Sequence, residues 1–109
     1  MTDKYQAIND SLGDRRYARL AIIFNSGRQM IHNYHQLEVI EYEPSPEQLR
    51  LIFSVSGQEK TYIIHGIGLD HLLEGLQLES LLSFTEANEV DADLFEGDGT
   101  LIKQITVKS

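Results

Sequence analysis

Leu49-Arg50-Leu51-Ile52-Phe53-Ser54-Val55-Ser56-Gly57-Gln58-Glu59-Lys60-Thr61-Tyr62-Ile63-Ile64-His65 is the stretch that decides the fold. Leu49, Leu51, Phe53 and Val55 recur at every second position, the repeat of a strand that buries one face. Lys60 to His65 comes back in phase, with Tyr62 and Ile64 aligned. Ser56-Gly57-Gln58-Glu59 supplies the turn, so the segment reads as a β-hairpin with a four-residue, glycine-containing loop.

Working upstream, Gln36 to Glu43 alternates, with Leu37 and Val39 on one face and Ile40 and Tyr42 on the other. Pro44-Ser45-Pro46 stops it, because proline lacks the N–H that a sheet ladder needs. Tyr17 to Asn25 is strand-like, with Ala18, Leu20, Ile22 and Phe24 pointing one way, and Asn25-Ser26-Gly27 turns after it. Residues 28–35 fit a strand or a helical turn equally well. Residues 1–14 read as a loose N-terminal arm or a short helical turn, ending at Gly13.

Downstream, the repeat changes. Leu69, Leu72, Leu73 and Leu76 fall at i, i+3, i+4 and i+7, one face of a helix. Asp70 sits in its first turn, where the helix dipole favours an acid. Gly75 weakens its middle by about 1 kcal/mol relative to alanine. Leu78, Leu81, Leu82 and Phe84 either extend this helix or open another element. Thr85 to Asp93 reads as an acidic connector, and Glu96-Gly97-Asp98-Gly99 as a turn into a strand at Leu101 to Val107. The expected fold is a single α+β domain over residues 1–109. It is an antiparallel β-meander of four to six strands with one short amphipathic helix packed on one face. Leu49, Leu51, Phe53, Tyr62, Ile64, Leu72, Leu73 and Leu76 are the expected core.

Composition narrows the chemistry. The chain has 109 residues and no cysteine, so disulfides, zinc-thiolate sites, iron–sulfur clusters and a thiol nucleophile are excluded. No apolar run approaches the ~20 residues of a membrane span. The first residues lack the apolar stretch of a signal peptide, and the cytoplasm is the expected compartment.

The charge is uneven. Through Arg28 five basic residues (Lys4, Arg15, Arg16, Arg19, Arg28) face three acidic ones, Asp3, Asp10 and Asp14. Beyond it four basic residues face fourteen acidic ones, and the net charge is −8. Glu38, Glu41, Glu43 and Glu47 form one acidic stretch; Glu86, Glu89, Asp91, Asp93, Glu96 and Asp98 form another. Neither contains a Lys or Arg. Such a balance disfavours direct binding to nucleic acid or an anionic membrane, whose phosphates need cations, and favours a basic protein surface.

The chemical motifs are incomplete. His32 and His35 are three apart, on one face of a helix or on opposite faces of a strand. His65, Asp70 and His71 flank the Gly66-Ile67-Gly68 turn and could converge as a carboxylate–histidine site, yet no metal-binding motif is present. Gly66-x-Gly68 resembles the opening of a dinucleotide fingerprint, but the third glycine is replaced by His71. Counted as a calcium loop, Asp91 onward lacks the glycine at its sixth position and the glutamate at its twelfth. No catalytic residue, metal site or cofactor is expected.

The function expected is a non-enzymatic protein–protein interaction module of inhibitor, immunity, adaptor or mimic type. Its basic partner would dock on Glu41, Glu43, Asp91, Asp93, Glu96 and Asp98, with the two acidic segments on one side of the molecule. Two alternatives stand beside it. One is a structural or accessory subunit forming a homo-oligomer through a sheet edge. The other is a small ligand-binding or enzymatic domain centred on His65, Asp70 and His71.

Overall fold

The computed structural model describes residues 5–10, 16–97 and 99–108. Its elements are β1 (Ile8–Asp10), β2 (Arg19–Ile23), β3 (Gln29–Asn33), a 3-10 turn at Tyr34–Gln36, β4 (Leu37–Pro44), β5 (Glu47–Val55), β6 (Gln58–Ile67), α1 (Leu69–Gln77), β7 (Leu81–Thr85), α2 (Glu89–Asp93) and β8 (Leu101–Lys108). The α+β class stands. The single meander does not: the strands divide into two four-stranded sheets, ordered β1-β7-β2-β3 and β4-β5-β6-β8.

The central hairpin forms with a tighter loop than its sequence suggests. Val55 pairs with Gln58, so Ser56 and Gly57 alone make the turn. Both carry positive φ, 52° and 79°, as a two-residue type I′ turn requires. Gln58 and Glu59 are thereby drawn into β6. The segment 28–35 resolves into both of its readings, β3 followed by the 3-10 turn.

The second sheet is the antiparallel meander β4-β5-β6 with β8 added beside β6. Its inner face carries two rows across all four strands, Ile40–Leu51–Tyr62–Val107 and Tyr42–Leu49–Ile64–Ile105. A bulge between Leu37 and Val39 resets the phase of β4. Val39 therefore lies outside with Glu41 and Glu43, not with Leu37.

The first sheet combines the β2–β3 hairpin with a parallel pairing of β2 to β7, in register from Ala21↔Ser83 to Ile23↔Thr85. Leu81 and Phe84 thus belong to a strand rather than to a longer helix. β1 then pairs antiparallel to β7, Ile8 opposite Phe84. Residues 5–10 are part of the folded body and not of a loose arm: Ala7 is buried and Ile8 packs on the core. Residues 1–4 and 11–14, the rest of that expected arm, lie outside the described residues.

One apolar core joins both sheets and the helix. Leu20, Ile22, Leu81 and Phe84 from the first sheet meet Leu49, Leu51, Phe53, Tyr62 and Ile64 from the second, with Leu69, Leu72 and Leu76 of α1 between them. Leu73 is half-buried and packs on this cluster. A polar contact is set inside it: His32 of β3 stacks on Phe53 of β5, ring centroids 4.3 Å apart, and its Nε2 lies 2.6 Å from the Tyr62 hydroxyl. No helix among the described residues is long and apolar enough to cross a membrane.

Candidate functional site

The acidic connector after Thr85 is not a plain loop. Its first residue, Glu86, turns inward, 9% exposed. Its carboxylate accepts the Asn25 amide at 2.9 Å and the Ile105 amide at 2.8 Å, one from each sheet's strand system. Ala87 then donates to the Ile102 carbonyl of β8. Asn88 starts α2 with a reciprocal cap: its Oδ1 accepts the Asp91 amide at 2.8 Å, and its own amide donates to the Asp91 carboxylate at 3.2 Å. That exchange satisfies two of the amides a helix N-terminus leaves open.

α2 buries none of its residues. Val90 and Leu94, four apart and so on one face, are 63% and 72% exposed. Opposite them runs β1, and between the two lies a cleft of about 1060 Å³. One wall is the unbroken run Tyr5 to Asp10; the other is Asn88, Val90, Asp91, Leu94, Phe95 and Glu96. His71, from the first turn of α1, also lines it, with Gly99 and Thr100.

The wall at Tyr5 is pinned. Its hydroxyl donates to the Thr85 carbonyl at 2.6 Å and accepts the Ile102 amide at 3.2 Å. Burial, reinforced by Asp91 and Glu86, pushes the phenol up to about 12 against the pull of the Ile102 hydrogen bond, so it stays neutral. The charges at the cleft are carboxylates: Asp10, Asp91 and Glu96 line it, and no Lys or Arg is among the described lining residues. Such a site can hold a cation on an apolar bed.

The expected docking residues sit on different elements of the fold. Asp91 and Glu96 line the cleft, while Asp93 is exposed on α2 outside the lining. Asp98 lies outside the described residues. Glu41 and Glu43 sit on the outer face of β4, where Glu41 reaches Arg50 across the pair at 3.6 Å. β4 and β8 occupy opposite edges of the second sheet, and α2 leads into β8. The two acidic segments are therefore attached to opposite edges, about 14 Å apart by strand spacing.

The histidines also separate. His65 alternates with buried Ile64 and so faces outward, between Gln48 and Gln104. Asp70 and His71 are exposed on α1, and only His71 of the three lines the cleft. His32 is buried, and His35 is exposed in the 3-10 turn. No group of three or more His, Asp or Glu among the described residues is placed to hold a metal ion.

The helix start that resembles a phosphate-binding turn is filled by the chain itself. Gly68 is the N-cap of α1, and its amide and that of Leu69 donate to the two carboxylate oxygens of Glu47, at 3.0 and 2.7 Å. The Tyr42 hydroxyl holds that carboxylate at 3.0 Å. Gly68 has a φ of 67°, and a Cβ there would lie 2.1 Å from the Gly99 carbonyl. These glycines serve chain packing.

Asp10, Tyr5 and Ile8 carry no local signal in the sequence, because a three-residue strand is too short to show a period. Asn88-x-x-Asp91 with Val90 and Leu94 four apart does carry one, that of a capped amphipathic turn. Comparison with protein-family models, with curated proteins and with solved structures found no match.

Proposed function

We propose that this protein is a non-enzymatic interaction module that binds a basic partner protein through the cleft between β1 and α2. One observation carries the reading. Asp10, Asp91 and Glu96 line the same cleft as the exposed apolar pair Val90 and Leu94, with no Lys or Arg among the described lining residues. Acidic groups beside exposed apolar area complement a partner in which Lys or Arg lies beside apolar side chains. Asp93 and the outer-face pair Glu41 and Glu43 add to the negative field that steers the encounter. Glu41 does so least, because Arg50 faces it.

The test uses the partner recovered by affinity capture at low salt and then purified. Asp10→Asn with Glu96→Gln should slow association at least tenfold at low salt and flatten its dependence on ionic strength. Glu41→Gln with Glu43→Gln should change the rate by less than threefold. Binding that ignores the first pair of substitutions at every ionic strength overturns the proposal.

A second reading has one observation of its own. β3 ends the other side of the first sheet, with β2 its only strand neighbour among the described residues, and Ile31 on it is 59% exposed. An apolar residue on an unpaired edge suits self-association. A concentration-dependent mass that Ile31→Lys abolishes would favour it.

A further inference from the structure

We propose that the partner enters the cleft as an extended, basic segment that adds as a strand to the free edge of β1. This inference rests on the docking reading above and specifies its mode.

The backbone of β1 is the first ground. The strand closes one end of the order β1-β7-β2-β3, with β7 its only neighbour among the described residues. The Thr85 amide donates to the Ala7 carbonyl at 2.8 Å, and Ile8 and Asn9 pair with Phe84 and Ser83. In an antiparallel ladder, residues alternately turn their amide and carbonyl toward the neighbour and away from it. Ala7 and Asn9 face β7, so the N–H and C=O of Ile8 point outward, to the free edge.

The shape of the cleft is the second ground. Six consecutive residues, Tyr5 to Asp10, line it. Side chains of a strand point alternately to opposite faces, and Ile8, Asn9 and Asp10 of β1 all line the cleft, so the strand offers its edge. The three residues of β1 span about 10 Å at about 3.3 Å per residue, and Tyr5, Gln6 and the bend at Ala7 continue the wall. The volume, about 1060 Å³, is at the top of the range for small-molecule pockets and suits several residues of chain. Strand addition is an established way to bind such a segment, with backbone bonds giving affinity and flanking pockets giving selectivity.

The third ground is complementarity. The cleft's carboxylates call for Lys or Arg, and Val90 and Leu94 call for apolar side chains between them. β1 is short and bulged between Asn9 and Asp10, features that restrain indiscriminate edge pairing. A segment needs the acidic and apolar wall of α2 as well as the edge.

The probe is the blocked hexapeptide Lys-Val-Lys-Val-Lys-Val, titrated into the isotope-labelled full chain at low salt. Shifts are expected at Ile8, Val90 and Leu94, with at least tenfold slower hydrogen exchange at the Ile8 amide. The same peptide carrying N-methyl groups on its valines keeps charge and side chains but loses backbone donors, and should bind at least tenfold more weakly. Ile8→Pro removes an outward N–H that β7 does not use and should have the same effect, provided circular dichroism shows the fold intact. Equal binding of parent and N-methylated peptides, still weakened by salt and by Asp10→Asn with Glu96→Gln, overturns strand addition and leaves charge docking standing. Binding indifferent to those two substitutions overturns both. A homodimer that protects Ile8 without peptide makes a second copy the occupant and overturns the inference.

Discussion

The carboxylate of Glu86 holds the backbone amide of Ile105 at 2.8 Å while its other oxygen holds Asn25 at 2.9 Å. Asn25 follows β2 of the first sheet, and Ile105 lies in β8 of the second. One side chain therefore ties the two sheets at a point where no ladder joins them. Hydrogen bonds to a charged group contribute about 1.5–3 kcal/mol each, and orphaned buried amides are costly. Glu86→Ala should therefore lower unfolding stability by about 3–5 kcal/mol in urea titrations. Glu86→Gln should recover only part of this, since one of its two terminal atoms becomes a donor facing a donor.

Glu47 plays the corresponding part for α1. The N-cap is Gly68, which has no side chain to offer, so a glutamate from β5 accepts the first two amides. Glu47→Ala should cost about 1–3 kcal/mol, the range of a lost cap plus its charge assistance. Hydrogen exchange at Leu69 should accelerate more than at Leu76, because the loss is local to the first turn. Uniform acceleration along α1 would contradict this account.

The buried His32 predicts a pH effect of definite sign. Burial lowers its pKa from 6.5, and Lys60 lowers it further. The Tyr62 hydroxyl beside it is itself pushed up to about 12, mainly by burial. In the unfolded chain His32 protonates near its ordinary value; in the folded chain it resists. Its neutral form thus supports stability fully above about pH 6.5, and that support is lost as pH falls below this value toward the lowered pKa. Melting temperature should fall as pH is lowered below about 6.5. His32→Gln, which keeps a partner for Tyr62 without a titrating ring, should flatten that slope.

The inner faces of β2, β5, β6 and α1 were legible because each buries one side and therefore shows its period. Leu20 and Ile22, Leu49, Leu51 and Phe53, Tyr62 and Ile64, and Leu69, Leu72 and Leu76 are all buried where alternation or helical spacing puts them. The division into two sheets was not legible. It depends on Ala21 pairing with Ser83 in parallel, a contact between distant segments that leaves no local pattern. β7 was ambiguous because Leu81, Ser83 and Phe84 are all buried, which erases alternation. Counting charge could not separate Glu86 and Glu47, which bind backbone amides, from Glu96 and Asp93, which face solvent. Of the cleft, only the α2 wall left a trace in the sequence.

Gly75 shows where local preference and packing disagree. Within a helix, glycine is less favourable than alanine by about 1 kcal/mol, so helix propensity alone predicts that Gly75→Ala stabilises the protein. The helix, however, packs Gly75 against β7. A Cβ at this position would lie 2.6 Å from both Cγ and Cδ2 of Leu81. Leu81 is only 1% exposed and belongs to the central core, so it cannot swing aside into solvent. Cγ is the branch point of the side chain, and moving it displaces both methyl groups. Overpacking of this kind costs about 1–3 kcal/mol, which matches or exceeds the gain in helix propensity. Gly75→Ala should therefore lower stability by up to about 2 kcal/mol, the difference of the two effects. The double variant Gly75→Ala with Leu81→Val, which makes room at β7, should lose less than the sum of the single changes. A stabilised Gly75→Ala would mean that α1 stands further from β7 than this packing requires.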